Sequence, residues 1–510
     1  MNSAVRLLDI SYEKYPNKVA IVDEYEEITF QVLRERSLSI AQNIVEKSKQ
    51  KKGLSPVIVY LNKSIKCIVS FMGTLYSGNP YVPVAADIPL QRLEKIISNL
   101  DPEFIITDYE KGQKLSQIDL KNANILIYED LFSTSGNSDQ IYEKLDKVVD
   151  TDPIYIMYTS GSTGVPKGVT VAHRGVLDYA EWVTSTFQLS ENDSLANQAP
   201  FYFDNSIFDI YGCLKSGAKL YIIPEILFKF QNKLPEFLRD NKITTIFWVP
   251  TVIINVANSG ELDKYELPSL KRVLFCGEVM PNTQLNIWRK AFPHVQYGNL
   301  YGPTEITDVC SYYIVDRKFE DHEPLPIGKA CENTRIVIIN DENKRAEAGE
   351  KGELCVIGAG VALGYWNNPD QTNKVFVQNP LNHKYNEILY KTGDIAYIDE
   401  RGLIMYSGRK DHQIKIKGNR VELGEIETAA MCIDGINNVC AIFDKENERI
   451  VLFAESDSEL KLRLVNKELI KYIPQYMLPS KLKVMGKLPH TANDKIDRVT
   501  LKKFISEGNI

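Results

Sequence analysis

The sequence lacks the cysteine and histidine spacings that mark metal sites and disulfide frameworks. No two of its eight cysteines are spaced Cys-x-x-Cys, and its six histidines are scattered along the chain. We therefore expect no zinc site and no disulfide framework. The cysteines are interpreted as small buried apolar residues of a protein in a reducing compartment.

Long apolar runs are also missing. The run at residues 56–61 is far too short to span a bilayer, and residues 1–12 carry Arg6 and Asp9 instead of the apolar core of a signal peptide. The formal net charge of -7 argues against a chain that coats nucleic acid. These absences predict a cytoplasmic protein with no membrane partner and no nucleic-acid partner.

What the sequence does contain is typical of a folded chain. Its 510 residues are 44% apolar and 25% charged, and a chain of this length forms roughly three structural units. Short β-rich runs such as residues 57–61 alternate with amphipathic patterns such as residues 91–99. This alternation predicts an α/β fold, with a large N-terminal domain over residues 1–410 in which mixed and parallel sheets pack against helices. Closely spaced strands indicate a small β-rich subdomain at about 315–410, and a strand–turn–helix pattern predicts a small α+β C-terminal domain over residues 411–510.

A loop suited to phosphate lies at residues 158–168, directly after a strand-like run. It combines three glycines, four serine or threonine hydroxyls and one lysine. Glycines let backbone N–H groups approach phosphate oxygens, and the hydroxyls and the lysine add donors and charge. The spacing is not that of a Walker A loop. A flexible surface loop has the same composition, so composition alone leaves both interpretations open.

This string resembles the phosphate-binding signature of adenylate-forming enzymes, the ANL superfamily of acyl-CoA synthetases, luciferases and nonribosomal-peptide adenylation domains. Further motifs follow in the family's order at residues 78–83 (GNPYVP), 299–305 (NLYGPTE), 352–366 (GELC to GYW), 390–394 (YKTGD), 408–427 (GRKD to ELGEIE), 474–479 (PQYMLP) and 493–498 (NDKIDR). The resemblance covers essentially the whole chain. It implies a large N-terminal domain and a mobile C-terminal domain that rotates about a hinge at Asp411.

The resemblance also implies a reaction. A carboxylate attacks the α-phosphate of ATP and releases pyrophosphate, and a thiol then displaces AMP. ATP and Mg²⁺ are the implied cofactors, with Thr304, Glu305 and Lys495 as catalytic residues and Glu305 as the metal ligand. Lys495 bridges the substrate carboxylate and the α-phosphate, a role that suits a compact charge with rotatable donors.

The implied ATP-binding residues divide by the part of the nucleotide that they contact. The phosphate loop suits the β- and γ-phosphates, Thr304 the α-phosphate, Tyr301 and Asn299 the adenine, and Asp394 and Arg409 the ribose. The full implied set is Thr159, Ser160, Gly161, Ser162, Thr163, Gly164, Lys167, Asn299, Tyr301, Gly302, Asp394 and Arg409.

Residues 203–206 (FDNS) match the FDxS element of members that activate amino acids, in which the aspartate pairs with the substrate ammonium. A buried unpaired carboxylate is costly, so Asp204 favours a positively charged substrate. Counting from the neighbouring motifs adds the pocket residues Asn205, Phe208, Phe247, Leu274, Cys276, Leu300, Asp308 and Val309. The phenylalanines and leucines predict a small substrate side chain, whereas Asn205 and Asp308 suit a hydroxyl or a side-chain amine.

We expect a stand-alone enzyme that loads an amino acid onto a separate phosphopantetheinylated acyl or peptidyl carrier protein. Residues 274–282 (LFCGEVMPN) also resemble the D-alanine–D-alanyl carrier protein ligases of teichoic acid D-alanylation, although Asn205, Phe247 and Asp308 differ from that subgroup. Asp204 disfavours an acyl-CoA synthetase, and the intact motifs disfavour a non-catalytic nucleotide-binding scaffold. The sequence leaves the amino acid and its chirality open.

Overall fold

The structure is a computed structural model that describes residues 1–49, 54–132, 138–160, 166–321, 323–410, 413–416, 418–456, 458–489 and 496–508. Its helices are α1 (Arg6–Lys14), α2 (Phe30–Lys47), α3 (Ile65–Tyr76), α4 (Leu90–Leu100), α5 (Tyr109–Leu115), α6 (Ser138–Leu145), α7 (His173–Thr186), α8 (Ser206–Ser216), α9 (Leu234–Asp240), α10 (Pro250–Asn258), α11 (Asn282–Ala291), α12 (Pro369–Val375), α13 (Leu423–Ala430), α14 (Leu462–Leu469) and α15 (Arg498–Ser506).

The strands are β1 (Val19–Val22), β2 (Glu27–Thr29), β3 (Val57–Tyr60), β4 (Tyr81–Pro83), β5 (Phe104–Thr107), β6 (Asn124–Ile127), β7 (Pro153–Thr159), β8 (Lys167–Ala172), β9 (Ser194–Asn197), β10 (Lys219–Ile222), β11 (Thr245–Trp248), β12 (Arg272–Cys276), β13 (Gln296–Tyr301), β14 (Ser311–Ile314), β15 (Lys329–Ala330), β16 (Thr334–Ile339), β17 (Gly352–Gly358), β18 (Gly364–Tyr365), β19 (Phe376–Gln378), β20 (Ile388–Ile398), β21 (Ile404–Arg409), β22 (Gln413–Ile416), β23 (Asn419–Glu422), β24 (Asn438–Asp444), β25 (Arg449–Glu455) and β26 (Lys481–Met485).

Local signals explain where the helices begin and end. The Thr29 hydroxyl accepts a hydrogen bond from the Val32 amide at 3.2 Å and so caps the start of α2. Helix α4 buries Leu93 and Ile97 on one face, which is the helical spacing that predicted it. The chain leaves α4 at Asp101 in a left-handed conformation with φ of 50°. The predicted helix at 91–99 is confirmed within one residue at each end.

A nine-stranded sheet of order β15-β14-β13-β12-β11-β9-β10-β1-β2 forms one half of the N-terminal region, and its central strands run parallel. Strands β11 and β12 are buried along their whole length, as expected for parallel strands covered on both faces. Phe247 pairs with Leu274, and Cys276 pairs with Leu300, at the carboxyl ends of these strands. Side chains of register partners share a face, so the predicted pocket residues of this sheet lie on one side of it.

A second sheet of seven strands has the order β18-β8-β7-β4-β3-β5-β6. Strands β3 to β7 pair in parallel, and β8 pairs antiparallel with β7 and with β18. Strands β16, β17, β19, β20 and β21 form an antiparallel sheet within the region that was predicted to be β-rich. The observed architecture is therefore the expected α/β fold of mixed sheets and helices.

Beyond residue 412 the chain forms the hairpin β22–β23, helices α13 to α15 and the three-stranded sheet β24-β25-β26. Val421, Ile426, Leu452 and Leu469 belong to a hydrophobic cluster confined to this segment. No helix among the described residues is long and apolar enough to span a membrane. The prediction that the cysteines are buried is wrong for Cys432, which follows α13 and is exposed, whereas the other seven are buried.

Candidate active site

The predicted phosphate loop is the connection of a β-hairpin. Thr159 at the end of β7 pairs with Lys167 at the start of β8, which brings a hydroxyl and an ammonium to the two bases of the loop. The Thr159 hydroxyl is buried and has no hydrogen-bond partner among the described residues. The predicted loop residues Gly161, Ser162, Thr163 and Gly164 lie outside the described residues.

The predicted metal ligand Glu305 is carried by a tight turn that follows β13. Strand β13 ends at Tyr301, and residues Thr304–Ile306 form a single 3-10 turn. Gly302 is required here, because a Cβ at this position would lie 1.9 Å from the Asp308 carbonyl oxygen. The turn therefore folds back on itself and leaves the Glu305 side chain with no solvent exposure.

Glu305 is nonetheless fully paired. The Arg420 Nη1 atom donates to both carboxylate oxygens at 2.8 and 2.7 Å, and the Tyr365 hydroxyl donates to Oε1 at 2.7 Å. Burial acts to raise the pKa of Glu305, but Arg420, Lys167 and Tyr365 outweigh it and lower that pKa to about 2. The site thus holds an ionised carboxylate in a buried, cation-rich setting.

Sequence reasoning gave Arg420 no role, although it lies in a motif that carried the resemblance. It reaches Glu305 from β23, and its carbonyl oxygen accepts a hydrogen bond from the Ser160 hydroxyl at 2.9 Å. The amide of Gly418 donates to Glu278 Oε1 at 2.8 Å. At Gly418, where φ is +78°, a Cβ would lie 2.5 Å from a methyl group of Val249. The segment 418–422 therefore packs directly on the N-terminal region.

A second contact fixes the C-terminal segment. Arg92 on α4 forms an ion pair with Glu425 on α13, and both side chains are almost completely buried. No motif marks Arg92, so the sequence carries no signal for this pair.

The predicted nucleotide residues form a second group. Asp394 on β20 and Arg409 on β21 are register partners, and Arg409 Nη1 donates to Asp394 Oδ1 at 2.9 Å. The Tyr301 hydroxyl donates to Asp394 Oδ2. Asn299 donates from Nδ2 to the Pro326 carbonyl at 2.7 Å, which leaves its Oδ1 as an acceptor for an amine such as that of adenine.

A cavity of about 520 Å³ adjoins these groups and is lined on several sides by cations. Its lining includes Lys167, Tyr365, Tyr390, Arg409, Arg420 and Arg498. Arg498 comes three positions after Lys495 in the chain. Lys495 and the predicted hinge Asp411 lie outside the described residues, so their roles stay predictions.

The predicted substrate pocket collects on one face of the nine-stranded sheet. The Phe208 and Phe247 rings lie 4.6 Å apart between centroids. The pocket side chains that belong to the same buried hydrophobic cluster are Phe208, Phe247, Leu274, Cys276, Leu300 and Val309. Asn205 precedes α8, and its Nδ2 is buried without a hydrogen-bond partner among the described residues. The structure thus brings the predicted pocket residues together.

Two carboxylates lie in this otherwise apolar setting. Burial raises the pKa of Asp204, and the hydroxyl of Thr304 and the charge of Lys415 oppose that rise. Burial and the charge of Asp204 raise the pKa of Asp308 well above its usual range, against a hydrogen bond of 2.6 Å from the Tyr179 hydroxyl. Sequence reasoning missed Tyr179 and Lys415; Lys415 lies in a recognised motif, whereas Tyr179 carries no signal.

The sequence matches a known family and known relatives. The family described as AMP-binding enzyme matches residues 8–366. The D-alanine–D-alanyl carrier protein ligase of Bacillus licheniformis is 33% identical over 511 residues, which cover 96% of this chain and 97% of the ligase. Tyrocidine synthase 1 of Brevibacillus parabrevis is 30% identical over 97% of this chain, which spans only 44% of that synthase.

A solved structure has the same fold. The Vibrio cholerae adenylation domain AlmE, in complex with glycyl-adenosine-5'-phosphate, superimposes with a TM-score of 0.83 at 24% identity. The match covers 99% of this chain and 98% of AlmE.

Proposed function

The chain belongs to the family of AMP-binding enzymes and is an AMP-forming adenylating enzyme, and we propose that it activates an amino acid and loads it onto a separate carrier protein. The observation that carries the proposal is the buried carboxylate of Asp204 beside Thr304. Thr304 is the residue proposed to contact the α-phosphate, and its hydroxyl acts to lower the pKa of the Asp204 carboxyl, which places the two side chains close together. An ammonium on Asp204 would therefore lie close to the phosphorus that the substrate carboxylate attacks.

In the first half-reaction a carboxylate oxygen of the amino acid forms a bond to the α-phosphorus of ATP. The bond from that phosphorus to the bridging oxygen breaks, and pyrophosphate leaves. Two anions must approach each other, so cations and donors aimed at the phosphates lower the barrier. We assign Thr159, Ser160 and Lys167 to the β- and γ-phosphates and Lys495 to the attacking carboxylate and the α-phosphate.

The residues fit ATP with Mg²⁺. The unpartnered Thr159 hydroxyl and the ammonium of Lys167 suit phosphate oxygens, and Glu305 is an ionised oxygen ligand. No group of three potential ligand side chains occurs among the described residues, and a magnesium ion in a nucleotide site commonly takes one or two carboxylates plus phosphate oxygens. When bound, Mg²⁺ supplies positive charge that offsets the charge on the phosphates. Asp394, Arg409 and Asn299 are assigned to the nucleoside.

In the second half-reaction a phosphopantetheine thiolate attacks the acyl carbonyl. The thiol has first lost its proton to solvent; a carbon–sulfur bond then forms, the bond from the carbonyl carbon to the AMP oxygen breaks, and AMP leaves. We infer that the described arrangement belongs to this step, because Arg420 occupies both oxygens of Glu305. Rotation of residues 411–510 about Asp411 would withdraw Arg420 and present Lys495 for the first step.

Two related enzyme functions can be distinguished from the proposed one by their substrates. A D-alanine–D-alanyl carrier protein ligase would perform the same chemistry with one substrate and one carrier, and the Bacillus relative carries that name. An acyl-CoA synthetase would activate carboxylic acids without an ammonium and would use free coenzyme A.

The proposal is tested by pyrophosphate exchange with single amino acids of both chiralities, followed by transfer to a phosphopantetheinylated carrier protein and to coenzyme A. We expect exchange that depends on one or a few amino acids, and a mass increase on the carrier equal to one aminoacyl group. Exchange with D-alanine alone would select the ligase variant. Exchange with simple carboxylic acids and equal transfer to coenzyme A would contradict the proposal.

A further inference from the structure

The apolar side chains of the predicted substrate pocket pack closely against one another. The rings of Phe208 and Phe247 are packed against each other, and Leu300 is 2% exposed. Phe247, Leu274 and Leu300 project from the same face of the nine-stranded sheet as neighbours. The bulk of these side chains therefore favours a short substrate side chain along this face.

Asp308 is an unusual residue in such a pocket. It is 1% exposed and lies at φ of 81°, directly after Thr307 at φ of 61°. Two consecutive left-handed residues without glycine are strained, and they hold this carboxylate among apolar side chains. The Tyr179 hydroxyl donates to Oδ2, and among the described residues no donor reaches Oδ1. One acceptor oxygen of a buried carboxylate is thus left for a ligand.

The described residues supply little positive charge to this pocket. Among the described residues, the positive charge of Lys415 acts to lower the pKa of both Asp204 and Asp308. Lys415 lies on β22, in the segment that is proposed to rotate, and its side chain is exposed. One exposed lysine does not compensate two buried carboxylates, so the pKa values of both are raised, and a ligand that brings its own cation would stabilise their ionised forms.

We propose that the substrate is a short diamino acid, such as 2,3-diaminopropionate or 2,4-diaminobutyrate, whose α-ammonium binds Asp204 and whose side-chain ammonium binds Asp308. The inference rests on the proposed function and deepens it by naming the substrate class. Two ammonium groups compensate both carboxylates, and the short side chain fits between the aromatic wall and Leu300. Alanine would leave Oδ1 of Asp308 without a hydrogen-bond donor. Serine would donate its hydroxyl to that oxygen but would supply no positive charge. Lysine carries the charge on a side chain that is too long for the pocket.

The first test uses the unmodified enzyme. Pyrophosphate exchange is measured with each enantiomer of 2,3-diaminopropionate, 2,4-diaminobutyrate, serine, alanine and lysine. We expect kcat/KM for one short diamino acid to exceed that for alanine and serine by about 10-fold or more, the size of a charge-assisted hydrogen bond. A preference for alanine, serine or lysine overturns the inference.

The second test separates recognition from structure. Asp308→Asn keeps the shape of the side chain and removes its charge, so kcat/KM for the diamino acid should fall by about 10- to 100-fold while that for alanine changes less than about 3-fold. The matched control is Asp444→Asn, a buried aspartate on β24 that accepts a hydrogen bond of 2.9 Å from Asn447. This control should leave the ratio of diamino acid to alanine unchanged. An equal loss for all substrates in Asp308→Asn would assign Asp308 a structural role and overturn the inference.

The outcomes distinguish this inference from the function on which it rests. If no amino acid supports exchange, the proposed function fails and the inference fails with it. If alanine or serine supports exchange and the diamino acids do not, amino-acid activation stands and the inference alone fails. A thermal shift produced by 2,3-diaminopropionate and AMP, larger than that produced by alanine and AMP, is the expected binding signature.

Discussion

Glu305 and Asp308 lie three residues apart on one turn, and both carboxylates are buried, yet their pKa values are displaced in opposite directions. The pKa of Glu305 is lowered to about 2, whereas that of Asp308 is raised well above its usual range. Burial opposes ionisation of both residues to begin with. The difference comes from their partners in the described part of the chain, where Glu305 contacts Arg420 and Tyr365 while Asp308 accepts one hydrogen bond, from Tyr179.

The comparison separates two uses of a buried acid. Glu305 has its charge compensated by the protein, so a metal ion must compete with Arg420 for the same oxygens. Asp308 forms no ion pair with any described residue and is suited to a ligand that brings its own cation.

Glu305→Gln should give the largest effect. The change removes the proposed metal ligand and leaves Arg420 without its buried counter-charge, so we predict a fall in pyrophosphate exchange of about 100-fold or more. The steady-state rate of pyrophosphate exchange at saturating ATP measures this fall. Thermal unfolding shows how much stability the variant has lost. Glu350→Gln, at an exposed residue whose carboxylate accepts from Asn340, is the matched control. An exchange rate within about 3-fold of the unmodified enzyme would exclude a catalytic role for Glu305.

Arg420→Gln should separate the two half-reactions. Arg420 holds Glu305 only in the described arrangement, which we assign to thiol transfer, so we predict that transfer to the carrier falls by about 10-fold. Pyrophosphate exchange should fall less. The Mg²⁺ concentration that half-saturates exchange should decrease, because a competitor for Glu305 has been removed. Arg401→Gln, which breaks an ion pair with Asp399 on the surface, serves as the control. Equal losses in both half-reactions would contradict the assignment.

The pH dependence of stability should have opposite signs for the two acids. Glu305 has a lowered pKa, so its stabilisation is present above about pH 4.3, the usual value for glutamate, and is lost as the pH falls toward about 2. Asp308 has a raised pKa, so the folded state holds its proton more tightly, and stability is lost as the pH rises above about 3.9. Glu305→Gln and Asp308→Asn each remove the pH-dependent contribution of the substituted residue to the free energy of unfolding.

Urea unfolding between about pH 3 and pH 7 measures both pH-dependent contributions to the free energy of unfolding. It is carried out on the unmodified protein, Glu305→Gln and Asp308→Asn. The stability advantage of the unmodified protein over Glu305→Gln should grow as the pH rises. Its advantage over Asp308→Asn should shrink and then reverse. Two differences that change with the same sign would refute the contrast between the two sites.

Tyr179→Phe should give the smallest effect. It removes the one hydrogen bond that Asp308 accepts from the described part of the chain, so we predict a rise in the amino-acid KM of about 5-fold with little change in the KM for ATP. Tyr297→Phe, which removes a buried hydroxyl bonded to the Trp288 and Phe292 carbonyls, is the control and should lower stability without changing the amino-acid KM. A larger effect on ATP than on the amino acid would exclude this role for Tyr179.

Much of the fold was predictable because it follows local patterns. Strands β5, β11 and β12 match the apolar runs at 104–106, 246–249 and 273–276 to within one residue at each end. The phosphate loop was recognised from glycine and hydroxyl composition, and the structure makes it a hairpin connection by pairing Thr159 with Lys167. Residue types and short-range periodicity suffice for such features.

The contacts that matter most to the site were not predictable in this way. Arg420 and Glu305 are separated by 115 positions, and Arg92 and Glu425 by 333. Their pairing depends on how the C-terminal segment docks, which no local pattern specifies. The role of Tyr179 could not be predicted either, because a tyrosine on an amphipathic helix is most simply explained as a core residue.

The central claim is that this enzyme activates an amino acid because Asp204 binds its ammonium group. The most direct measurement compares pyrophosphate exchange for the preferred amino acid and for the same acid without its α-amino group, in the unmodified enzyme and in Asp204→Asn. The account predicts that the unmodified enzyme prefers the amino acid by about 10- to 100-fold in kcat/KM, and that Asp204→Asn loses most of this preference by raising the amino-acid KM. Equal exchange with the two acids in the unmodified enzyme would contradict the claim.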